Sequence, residues 1–226
     1  MKTQKLALIA LLALPLAAGA ATTNDTTAST TSDTPNGVLG ENYAGAFGTY
    51  HTYGYPNGSH TDGKSLGLDL NYNLYTGSTF GLDASASYEY ARNATSGAEN
   101  RFCTNAYTAS LTGFAKVSQR FTPFVTATVY TDSTSGPYDP TNYDSTWFAA
   151  RIGVETHLVD GWYVTPSVTL WNEFRSDYKA SSACADWGIE SGYWFTKYTL
   201  AYASVNYREM NGTDEAWFGT GIRVHF

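Results

Sequence analysis

Between residue 43 and the C-terminus, runs in which apolar and polar residues alternate recur, and a period of two leaves the β-strand as the building element. Leu66, Leu68, Leu70, Tyr72 and Leu74 take the even positions of one run, with Gly67, Asp69, Asn71 and Asn73 between them. The pattern recurs in Phe80, Leu82, Ala84, Ala86, Tyr88, Tyr90, then in Phe148, Ala150, Ile152, Val154. It recurs again in Val164, Pro166, Val168, Leu170, and last in Phe218, Thr220, Ile222, Val224, Phe226. No window carries helical periodicity. The runs predict ten strands, at about 43–54, 65–75, 80–91, 104–117, 121–132, 146–158, 162–176, 186–195, 198–209 and 215–226. Their connections alternate in length. Thr76–Thr79, Ser118–Arg120, Val159–Gly161 and Thr196–Lys197 are short. Tyr55–Lys64, Arg92–Cys103, Asp132–Ser145, Asp177–Ala185 and Met210–Asp214 are longer and polar. Strands joined in this order place every long loop at one end and both termini at the other.

Alternation alone fits a soluble barrel with an oily core and a membrane barrel with an oily exterior. Composition separates them. Charged residues are 15% of the chain, against roughly 25% in ordinary soluble domains, and aromatics also reach 15%. The polar strand face is mostly Ser, Thr, Asn, Gly and Tyr, which suits a narrow packed interior better than a face turned to water. Strands of about 11 residues cross a tilted bilayer path, and only a closed barrel pairs every backbone group in lipid using strands. The fold class expected is therefore all-β, a closed antiparallel transmembrane β-barrel of about ten strands, with eight or twelve as alternatives. Aromatics at both strand ends agree with two interfacial belts. Tyr72, Tyr75, Phe80, Phe121, Phe124, Trp162, Tyr163, Phe195 and Tyr198 fall beside the short turns. Tyr53, Tyr88, Tyr90, Tyr130, Phe174 and Tyr207 fall beside the long loops. A formal net charge of −7 argues against a nucleic-acid partner, which requires a basic face.

The N-terminus divides into two segments ahead of the barrel at residues 41–226. Lys2 and Lys5 precede an apolar run ending in Ala18-Gly19-Ala20, the pattern of a signal peptide over residues 1–20. Residues 21–40 are almost all Thr, Ser, Ala, Asn, Asp and Gly, and predict a disordered tether. Export implies an oxidising compartment, so Cys103 and Cys184 are expected to form a disulfide, worth roughly 4.5 kcal/mol of loop closure.

These features resemble the small Gram-negative outer-membrane β-barrels, over residues 43–226 by architecture. The most specific part is the C-terminal run Trp217-Phe218-Gly219-Thr220-Gly221-Ile222-Arg223-Val224-His225-Phe226. Its Phe218, Ile222, Val224 and terminal Phe226 look like the signal that barrel-assembly machinery reads. The resemblance implies periplasmic termini, extracellular loops, delivery by periplasmic chaperones and a setting of outer-membrane lipids. Relatives of this class end in an aromatic after eight, ten or twelve strands.

With even positions outward, the lumen receives Asp69, Asp83, Glu89, Lys116, Arg151, Glu155, His157, Glu173, Arg175, Arg223 and His225. Charges away from water have to be paired, so a network of Arg151, Arg223 and Lys116 with Asp69, Asp83 and Glu155 is expected. A ten-stranded barrel is only slightly wider than the eight-stranded type that side chains fill, which favours a plug of ion pairs over a porin-like passive channel. The phases of 43–54, 186–195 and 198–209 are ambiguous, which leaves Glu190, Asn206 and Arg208 unassigned. Surface proteases of the omptin type resemble the chain in strand number. A rim hydrolase built on His60 and Asp62, with His51 below, is therefore the enzymatic alternative to a non-enzymatic barrel. No opposing acidic pair completes it, and no G-x-S-x-G, H-E-x-x-H or phosphate loop occurs. No cofactor or metal is implied. Sequons at Asn24, Asn57, Asn93 and Asn211 raise the rival of a secreted β-sandwich glycoprotein. That rival leaves the alternating loop lengths and the terminal Phe unexplained.

Overall fold

A computed structural model describes residues 37–55, 58, 60–95, 101–135, 143–176, 183–210 and 213–226. The predicted signal peptide and residues 21–36 lie outside them. Ten strands form: β1 Tyr43–Gly54, β2 His60–Thr76, β3 Phe80–Thr95, β4 Arg101–Ala115, β5 Phe121–Ser135, β6 Tyr143–Val159, β7 Trp162–Ser176, β8 Ala183–Trp194, β9 Thr199–Met210 and β10 Thr213–His225. Each pairs antiparallel with its neighbours in sequence, and β1 closes on β10, from Tyr43 opposite His225 to Gly54 opposite Asp214. The sheet is a closed barrel, which removes the β-sandwich alternative.

Six strands extend three or more residues beyond the expected limits at the long-loop end. β2 starts at His60 instead of residue 65, β3 runs to Thr95 instead of 91, and β6 starts at Tyr143 instead of 146. β4, β5 and β8 extend by three residues each in the same way. Antiparallel ladders bond through the backbone, so Thr-, Ser- and Asp-rich ends continue the sheet after the apolar alternation has stopped. The short turns are closed by local chemistry. Ser118 Oγ accepts from the Arg120 and Phe121 amides, and Thr196 Oγ1 accepts from those of Tyr198 and Thr199. Between β6 and β7, Gly161 supplies the positive φ that a two-residue turn demands.

Side chains divide by parity as expected. Leu66, Leu68, Leu70, Tyr72 and Leu74 are exposed on the outer face, Leu66 at 73% and Leu68 at 61%. The run from Leu66 to Leu74 rises about 20 Å along the barrel axis at a tilt of roughly 40°, most of the roughly 25 Å apolar band of a membrane barrel. Tyr75, Phe80, Phe121, Trp162, Phe195 and Tyr198 are exposed at its short-turn edge, and Tyr88, Tyr90, Tyr107 and Phe174 toward the long loops. Four aromatics assigned to these belts face inward instead. Phe124 and Tyr163 are buried, Tyr53 closes on Glu215, and Tyr130 lies against Trp171.

The inward aromatics explain how a ten-stranded barrel fills itself. Phe47 lies across Gly67, Phe114 across Gly81, Phe124 across Gly153, Tyr163 across Gly192 and Tyr202 across Gly221. Each glycine is the direct cross-strand partner of its ring. A Cβ at any of the five would collide with the ring, so the absent side chain lets an aromatic lie flat on the neighbouring strand.

Two outcomes check the barrel. The folded chain migrates faster in a detergent gel before boiling than after it, whereas identical migration together with aqueous solubility contradicts the membrane fold. Leu70→Arg, at the middle of the apolar band, costs about 2–4 kcal/mol in unfolding measured by denaturant titration in phospholipid vesicles.

Candidate functional site

The lumen is built in layers, and the lowest, at the short-turn end, is made by the chain itself. Residues 37–42 enter the mouth of the barrel ahead of β1. The Val38 amide donates to Glu155 Oε2 at 3.0 Å, and the Gly40 amide to Asp83 Oδ2 at 2.9 Å. The Trp194 indole donates to the Gly37 carbonyl at 3.1 Å, and Val38 packs on the buried cluster of Tyr163, Trp194 and Leu200. Gly37 and Gly40 lie so close to Glu155 and Phe114 that a side chain at either would push into them. Glu41 pairs with His225 at 3.0 Å, and burial raises the Glu41 carboxyl above its ordinary pKa. The tether boundary drawn at residue 40 therefore falls inside the plug: residues 37–40 belong with the barrel.

Above the plug, Arg223 spans the lumen. Its Nε donates to Asp69 Oδ2 at 2.9 Å and its Nη1 to Glu190 Oε1 at 2.9 Å. Tyr163 adds a hydroxyl donor to Glu190 at 2.8 Å. The guanidinium lies 3.9 Å from the ring centre of Tyr202 and 4.8 Å from that of Tyr43. Ion pairing on its edges and stacking on its faces use the planar shape of Arg in a way Lys could not. Arg151 donates to Ser167 Oγ at 3.0 Å and stands 5.4 Å from the Phe124 ring centre.

Two cavities of about 330 Å³ each lie between this belt and the long loops. His51 and Glu89 line both and divide them. His51 Nε2 is 2.6 Å from Thr49 Oγ1 and 3.5 Å from Glu89 Oε1, and Ser65 Oγ also donates to Glu89. The outer cavity adds Tyr53, Tyr130 and Asp132, with Ser145 bonded to Asp132. On the far wall Arg208 joins Glu215 and Asp186, 5.1 Å from the ring centre of Trp217, and the Trp171 indole donates to Asp186.

The expected network is redrawn by these contacts. Arg223 meets Asp69, and its second carboxylate is Glu190, one of the residues of ambiguous phase. Asp83 and Glu155 accept backbone amides of the plug instead of Arg side chains, and Glu155 also binds His157 at 3.0 Å. Lys116 is not in the lumen: it follows the end of β4 and is exposed beside a short turn. Glu89 and half-buried Glu173 face inward. The side chain of Arg175 lies outside the described residues. Arg208, of ambiguous phase in the sequence, faces the lumen, and Asp186 and Glu215 are carboxylates that the alternation does not assign to it. Trp187, Ile189 and Tyr193 on the outer face of β8 would have fixed the phase that turns Asp186 and Glu190 inward.

Cys103 and Cys184 are both free, which corrects the expected disulfide. Cys103 faces outward on β4, where the Tyr90 hydroxyl donates to its sulfur at 3.3 Å. Cys184 faces the lumen on β8 within 3.7 Å of Arg208 Nη1. Opposite faces of the wall and four strands of separation prevent their meeting. The proposed rim hydrolase group is likewise split. His60 and Asp62 lie on the outer face, 4.0 Å apart, while His51 points into the lumen. His51 does approach one hydroxyl, but Thr49 and Glu89 share its Nε2 and its Nδ1 has no hydrogen-bond partner. A hydrolytic relay needs the carboxylate on the nitrogen away from the nucleophile. Among the described residues no cluster of His, Cys, Asp and Glu is arranged to hold a metal. Phe218, Ile222, Val224 and Phe226 project outward along the last strand and its terminus.

No protein-family model and no curated protein sequence matches the chain. Solved structures do match it in fold. The β-domain of the Bordetella autotransporter BrkA aligns with a TM-score of 0.57 at 10% identity, over 82% of this chain and 100% of that one. An outer-membrane channel of Pseudomonas putida F1 aligns at 0.52 and 9% identity, over 89% and 100%. The translocator domain of the autotransporter NalP from Neisseria meningitidis aligns at 0.50 and 8% identity, over 100% and 97%. The chain has the fold of the Gram-negative outer-membrane β-barrels.

Removing Arg223 tests how the belt is held. Arg223→Met leaves Asp69 and Glu190 facing each other unpaired and costs about 3–5 kcal/mol in denaturant unfolding from vesicles. Adding Asp69→Asn and Glu190→Gln restores most of that loss. Equal instability of the single and triple variants contradicts the pairing.

Proposed function

We propose that the protein is a non-enzymatic outer-membrane barrel whose lumen is closed and whose long loops make contacts at the cell surface. The observation that carries this reading is the double closure of the pore. The Arg223 belt crosses the lumen, and residues 37–41 dock on Glu155, Asp83 and Trp194 beneath it. A solute would have to break both layers to pass. In this reading the termini and the plug are periplasmic and the long loops extracellular. Phe218, Ile222, Val224 and Phe226 serve as the signal for the assembly machinery that receives the chain from periplasmic chaperones.

A porin-like passive channel is the second reading, favoured by the two polar cavities stacked above the belt. Single-channel recording of the refolded protein separates the two. The closed-barrel reading predicts an electrically silent protein. A steady conductance that changes in Arg151→Ala or Arg223→Ala would overturn it in favour of the channel.

A further inference from the structure

On the outer wall, at the long-loop end, two cations meet. Lys64 on β2 and Arg92 on β3 are direct partners in the register, and both side chains are exposed. Among the described residues neither forms an ion pair. Like charges directly opposite on a sheet destabilise it, so an anion is needed to make this arrangement favourable.

Their height identifies the anion. Lys64 is the first outward position beyond Leu66, where the apolar band of β2 ends, and Arg92 is the first beyond Tyr90 on β3. Polar groups at the edge of the band lie at the depth of lipid headgroups. The surface beneath the pair is aromatic and held in place. The Tyr88 hydroxyl donates to Asn105 Oδ1 at 2.9 Å, and its ring lies 5.2 Å from that of Tyr107. Tyr90 is fixed by its bond to Cys103. The neighbouring carboxylate on the same face, Asp62, is hydrogen-bonded by Tyr50. Exposed carboxylates stand elsewhere on this rim at Asp144 and Glu209.

We propose that Lys64 and Arg92 bind the phosphate of an anionic lipid headgroup in the leaflet at the long-loop end. The Arg fork takes two phosphate oxygens and the Lys ammonium a third. The acyl chains run down the face of Tyr90, Leu66 and Leu68, a contact that a soluble anion lacks. The inference rests on the barrel spanning a bilayer, which gel mobility before and after boiling tests separately for every variant.

The experiment refolds the full chain in vesicles of phosphatidylcholine mixed with phosphatidic acid and counts retained lipids by native mass spectrometry. The wild type retains phosphatidic acid preferentially. K64Q/R92Q lowers that preference about tenfold, while K197Q, in a short turn, leaves it unchanged. An unaltered preference in K64Q/R92Q, or an equal loss in K197Q, overturns the site. A second arm adds inorganic phosphate to protein in phosphatidylcholine alone. No thermal stabilisation is expected there, and a stabilisation lost in K64Q/R92Q would reassign the pair to a soluble anion.

Discussion

A chain that crosses hydrocarbon as strands has to pair every backbone N–H and C=O with another strand, because nothing else within the membrane can accept or donate. The pairing of β1 with β10 satisfies that demand for the last two edges, and the rest of the architecture depends on it. Closure fixes the number of strands that enclose the lumen, and with it the space inside. The period of two then sends one set of side chains to lipid and the other into that space. The scarcity of charge and the abundance of aromatics follow from this division. The outer face cannot carry charge within the band, and the inner face has room for few charges.

The narrow interior is filled by two devices that work together. Rings lying on cross-strand glycines occupy the wall, so Tyr163, Tyr202 and Phe124 line the lumen without projecting across it. Arginines then bridge what remains, and the same rings stack on them: Tyr202 on Arg223, Phe124 on Arg151. Glu190 holds Arg223 and Tyr163 at once, which ties the belt to the hydrophobic cluster under it. Val38 and the Trp194 indole connect that cluster to the plug. These contacts therefore run continuously from the middle of the barrel to its short-turn mouth.

The strand count, the order of short and long connections and the outward phase of most strands could be read from the sequence, because alternation is a local signal. What escaped the reading depends on register. An aromatic near a strand end looks the same whether it faces lipid or lumen, and only the glycine opposite decides. Tyr163 needs Gly192, on the next strand, to lie inward. Glu190 and Arg208 sat in strands where small residues on both faces blurred the alternation. Cys103 and Cys184 made a plausible pair by compartment, but opposite parity around the barrel separates them. Residues 37–40 look like tether by composition, and Gly37 and Gly40 fit the crowded mouth for the same reason: neither has a side chain to collide with Glu155 or Phe114.

The central claim is that the chain ahead of β1 seals its own barrel, and thiol labelling at residue 38 tests it most directly. Val38→Cys is placed in a background with Cys103 and Cys184 changed to Ser, refolded in vesicles and exposed to a small maleimide. Docking of residues 37–41 predicts labelling at least about tenfold slower than in the urea-unfolded chain, equivalent to roughly 1.4 kcal/mol of protection. The protection is predicted to fall when Trp194→Ala removes the indole that holds Gly37. Labelling of the folded barrel at the unfolded rate, with Trp194→Ala making no difference, would contradict the account.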